Sequence, residues 1–202
     1  MESKMQTSLL LIIGPIVALV GWMFIYPAGE GVATTDAADL MADPGLSKVG
    51  MLLGFGGMAA LFIGLLNVSR KMASGGGPGA SYANISGIAA LVLVVLCAFM
   101  LGIEWAVAEA SSDAIGIDLM QISVASETTF FTSCGILMLL LGVGIILEKN
   151  YHIAIGGLAV IAGLGFLASF GGESLEMGGF VGWLVMMLVA LGIGVQTLRS
   201  KN

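Results

Sequence analysis

Six stretches of this chain run apolar for about 18–22 residues each, the length a helix needs to cross a ~30 Å hydrocarbon core at ~1.5 Å per residue. They span 8–27, 48–68, 83–105, 128–147, 153–170 and 179–198. Only 10% of the residues are charged and 58% are hydrophobic, whereas a soluble domain carries roughly 25% charged residues. The six stretches fill most of the 202 residues and leave no room for a soluble domain. The alternative way to cross a bilayer, a β-barrel, shows apolar and polar positions alternating along each strand. Here 88–100 and 136–147 are apolar at every position. The sequence predicts an all-α, polytopic membrane protein: one transmembrane domain, 1–202, folded as a six-helix bundle.

The first stretch reads as a retained helix rather than a cleaved signal. Its charged start is thin, with Lys4 alone, and no small-x-small site stands out in 28–33; its apolar run also exceeds the usual signal length.

Charge fixes the expected orientation. Short loops rich in Lys and Arg stay cytoplasmic. Six of the seven bases (Lys4, Arg70, Lys71, Lys149, Arg199 and Lys201) fall at one set of helix ends, and only Lys48 at the other. Both termini are therefore expected in the cytoplasm, with the plasma membrane as host. Eleven of the thirteen acids lie on the opposite side, all but Glu2 and Glu148, although acids contribute little to the rule. Such an outer face repels polyanions, which excludes nucleic acid as a partner. The inner face suits anionic lipid headgroups, so membrane lipids are expected partners.

The spans form three hairpins, each returning to a basic stop, with no residue-level repeat between them. The loop 72–81 contains Gly75-Gly76-Gly77-Pro78-Gly79. It lacks the strand–loop–helix setting of a phosphate-binding loop and reads as a flexible linker. The outer loop 111–126 carries Ile115, Ile117, Leu119, Met120, Ile122 and Val124, too many apolar residues for free solvation. It is expected to lie against the bundle or in the headgroup region.

Helices in lipid associate through close packing at small residues. Gly50, Gly54, Gly57 and Gly64 form one stripe in the second span, and Gly178 with Gly182 opens the sixth. These spacings keep the small residues on one face of a helix. Contact within the bundle is the expected use, and a homo-oligomer seam is the rival.

Ionisable groups at mid-bilayer usually mark function. Glu104 lies 21 residues beyond Ala83, about 31 Å along a helix, which puts it at the outer membrane edge; Glu127 has the same depth. With Thr128, Thr132 and Glu173 they define a candidate outer vestibule for cations, since hard cations prefer oxygen ligands. The plainer expectation is a solvated acidic rim whose hydroxyls bond the preceding helical turn. Pro15 predicts a kink in the first helix, and His152 an interfacial anchor. Cys97 and Cys134 read as small apolar residues inside spans.

A single histidine supplies neither a bis-His haem nor a usual zinc site. No metal, cofactor or catalytic set is assigned. The sequence points to a non-catalytic partner or accessory subunit of a membrane assembly, with a protein partner or a second copy beside it. A small transporter or channel with an acidic vestibule is the alternative.

Overall fold

The computed structural model describes residues 4–171 and 177–200. Its helices are α1 (Lys4–Val20), which widens into a π turn at Gly21–Ile25, then α2 (Ala33–Ala42), α3 (Pro44–Ser74) and α4 (Ala80–Ala108). They continue with α5 (Asp113–Glu148), α6 (Ile153–Ala168), a 3₁₀ turn at Ser169–Gly171, and α7 (Met177–Arg199). Six of these elements are long and apolar enough to cross a membrane, all except α2.

Local chemistry explains the boundaries. Asp43 caps α3 by accepting from the Leu46 N–H at 3.0 Å, with Pro44 at the first helical position, where its missing donor costs nothing. Ser112 opens α5 in the same way through Ile115. His152 is the cap of α6: its Nδ1 accepts from the Ala154 N–H at 3.2 Å. Lys149 ends α5 in the left-handed conformation.

Each apolar helix packs on its chain neighbour, and α7 returns to α1. The order α1, α3, α4, α5, α6, α7 therefore closes into a ring. Its centre is filled. Phe62 of α3, Phe130 and Phe131 of α5 and Phe166 of α6 form a continuous aromatic chain with centroids 5.8–6.0 Å apart. Leu11 of α1, Leu61 and Leu65 of α3, and Leu137, Met138 and Leu141 of α5 are fully buried.

The predicted glycine stripes lie at helix contacts. A Cβ on Gly54 would meet the Trp22 ring at 2.6 Å, on Gly50 the Tyr26 backbone at 2.7 Å, and on Gly64 the Leu11 side chain at 2.7 Å, while Gly57 touches the Ala18 backbone. The whole stripe faces α1. Gly178 and Gly182 face α6, with their Cβ positions 2.8 Å from the Gly165 carbonyl and 2.9 Å from the Ala162 carbonyl.

Several boundaries differ from expectation. The span predicted at 128–147 begins at Asp113, so the segment read as an outer loop is the first four turns of a 36-residue helix, about 54 Å long. Gly116, Met120 and Ser123 are buried at spacings of four and three, so this extension has a true inner face. It packs on α2, which forms between the first two spans and also touches α3 and α4. The helix runs on through Pro15, and a π turn follows it at Gly21–Ile25. The glycine loop is a short turn rather than a linker: Gly79 N–H donates to the Glu148 carboxylate at 2.9 Å, and Gly77 packs on the same carboxylate.

Candidate functional site

The acidic end of the ring is built from the π turn after α1, the start of α3, the end of α4 and the extension of α5, with α2 laid across them. All three tryptophans lie in the parts of their helices nearest this end, Trp22 on the π turn, Trp105 on α4 and Trp183 on α7, which suits an aromatic belt at a membrane interface.

Glu104 sits one turn before the end of α4 and is 3% exposed. This differs from the solvated rim expected of it. Counting along a single helix gave its depth but not what stood beside it, and the α5 extension covers it. The Tyr26 hydroxyl donates to one carboxyl oxygen at 2.7 Å and the Ser123 hydroxyl to the other, also at 2.7 Å. Each oxygen therefore has one donor, and burial without such partners would be costly. The knot joins the residue that ends the π turn after α1 to α4 and α5 at one point.

Two further carboxyls stand near. Asp36, in the first turn of α2, is 1% exposed and accepts from the N–H groups of Gly29, Glu30 and Gly31, each at 3.0 Å. Gly29 and Gly31 hold φ of +136° and +72°, which wraps the chain around the carboxylate and needs residues without a Cβ. Asp36 also sits where a helix N-terminus favours negative charge. Glu127 is half-buried on α5.

Of the remaining vestibule candidates, Thr132 donates to the carbonyl of Thr128 at 2.7 Å and Thr128 is exposed. The Thr132 hydroxyl thus bonds within its own helix. Glu173 lies outside the described residues. Glu104 and Glu127 share this end, but the donors on Glu104 are Tyr26 and Ser123 rather than Thr132, which bonds within its own helix.

Outside this knot, Lys48 at the start of α3 pairs with Glu109 just past α4 and lies 5.0 Å from the centre of the Trp105 ring. The lysine beside it holds the Glu109 carboxyl below the usual range, by hydrogen bond first and by charge second. Sequence reasoning missed Tyr26, Asp36 and Ser123. The Gly29-Glu30-Gly31 run ahead of Asp36 was a legible signal for the carboxylate nest. Nothing in the sequence linked Ser123 to Glu104, because that link depends on the helical register of a segment read as loop.

Among the described residues no group of three or more His, Cys, Asp and Glu is arranged to hold a metal ion, and every buried side-chain nitrogen and oxygen has a hydrogen-bond partner. Set against known protein families, curated proteins and solved structures, the chain matches none.

Proposed function

We propose that this chain is a non-catalytic integral membrane protein that serves as a partner or accessory subunit of a membrane assembly. In this reading it spans the plasma membrane six times with its basic end and both termini in the cytoplasm. The observation that carries it is the filled centre of the ring, where Phe62, Phe130, Phe131 and Phe166 bridge α3, α5 and α6. A conduit needs a wettable path at that position.

A surface feature supports the same reading. Ala98, Gly102 and Ala106 are all exposed on α4 at spacings of four, and nothing lies within 4 Å of a Cβ on Gly102. The internal glycine stripes meet neighbouring helices, whereas this one is left for a helix of another chain. Native mass spectrometry of protein extracted in mild detergent tests the reading. A stoichiometric second subunit, either another protein or a second copy, is expected, and Gly102→Leu should release it from a folded chain. A monomer from both proteins would count against the reading.

The buried Glu104 knot favours one second reading, a small cation or polar-solute transporter with its mouth at the acidic end. In that case Glu104→Gln abolishes a flux that the parent protein supports in liposomes.

A further inference from the structure

We propose that the basic end of the ring binds an anionic phospholipid, its phosphate in an inner cavity and one acyl chain in the groove beside it. The cavity measures about 440 Å³ and opens between α1, α3, α7 and the turn before α6. Three cations line it: Lys4, Arg70 and Lys71. Beneath them lie Thr7, Asn67 and Thr197, at 8%, 5% and 7% exposure. The Asn67 amide donates to the Thr7 hydroxyl at 3.3 Å, and the Thr197 hydroxyl is 3.1 Å from that of Tyr151. Among the described residues no acid lines it. Cations above a layer of hydroxyl and amide groups suit a phosphate, which accepts charge-assisted bonds from Arg and Lys and neutral bonds from hydroxyls.

The groove identifies the kind of phosphate. It runs up the outer side of the α3–α4 contact with a volume of about 370 Å³, and Leu66, Ile88 and Leu91 line it. Ile88 and Leu91 are 58% and 48% exposed, on a surface facing lipid if the ring spans a bilayer. Arg70 lines both the cavity and the groove. A soluble phosphate ester would use the cavity alone. A phospholipid uses both, with Arg70 at the junction of headgroup and chain. Basic pockets between membrane helices bind anionic headgroups by this chemistry. The inference does not depend on whether the chain has a protein partner.

The test is native mass spectrometry of protein released from nanodiscs of mixed phosphatidylcholine and phosphatidylglycerol. One phosphatidylglycerol per chain should be retained in preference to phosphatidylcholine. The double variant Arg70→Gln/Lys71→Gln should weaken that retention about a hundredfold, since each charge-assisted hydrogen bond lost to the phosphate costs about tenfold. Lys149→Gln/Arg199→Gln removes two charges from the same end without touching the cavity, and should leave retention unchanged. Millimolar inorganic phosphate should not displace the lipid. Equal retention of the two lipids, equal losses in both double variants, or binding of inorganic phosphate without a lipid preference would each overturn the proposal. Circular dichroism checks that the variants fold, and Thr197→Val provides a milder change in the same cavity should the double variant unfold.

Discussion

Glu104 shows how one residue can hold three segments of the chain together. Its carboxyl is enclosed by Tyr26 and Ser123, so the hydroxyls and the carboxyl satisfy one another away from water. Tyr26→Phe removes one donor from a buried acceptor and should lower stability by about 1–3 kcal/mol in thermal unfolding. Glu104→Gln keeps an oxygen for one hydroxyl and should cost less than Glu104→Ala, which leaves both hydroxyls orphaned beside a cavity. If the alanine variant were as stable as the glutamine variant, the knot would not be holding the end of the ring. Glu109 offers a contrast at the surface. Its depressed pKa means the pair with Lys48 adds stability that is present above the ordinary carboxylate value and lost as pH falls through the lowered one. As pH falls below the ordinary carboxylate range the melting temperature should fall more steeply in the parent protein than in Lys48→Gln. High salt should narrow that difference, because the pair is exposed.

At the scale of the helix, small residues decide what touches what. Gly57 lies against the Ala18 backbone and the Gly14 carbonyl, where neither neighbour can rotate away. Gly57→Leu should destabilise the fold at or above the upper end of the usual overpacking cost of about 1–3 kcal/mol. Gly102→Leu has open space and should leave unfolding unchanged. Paired unfolding curves check this, and equal losses would refute the division between inner and outer stripes. The same elements show how far the sequence could be read. Hydropathy marks the six long helices because a bilayer imposes both length and composition on them, and glycine spacing picks out the faces of α3 and α7 that meet α1 and α6. The α5 extension was hidden because its residues 115–124 mix apolar and polar positions without a span-like run. Only the placing of Gly116, Met120 and Ser123 on one face marks it as helix. Burial of Glu104 follows from that extension, so it was equally hidden. The α2 helix was obscured by its acids, although Asp36 is what anchors it.

At the scale of the whole molecule, sequential hairpins close into a ring because each helix finds its chain neighbour and α7 meets α1, where Gly194 lies against Leu11 and Ile12. Ring closure leaves a central space that must be filled by side chains or by water. Here phenylalanine, leucine and methionine pack within it, and the charged groups collect at the two ends. An acidic end closed by the Glu104 knot and a basic end open as a cavity of about 440 Å³ are consequences of that division. The most direct measurement of this account is the cation and small-solute permeability of liposomes containing the purified protein. The filled ring predicts permeability equal to protein-free vesicles. A flux above that background, abolished by Glu104→Gln in a folded protein, would contradict it and make the chain a conduit.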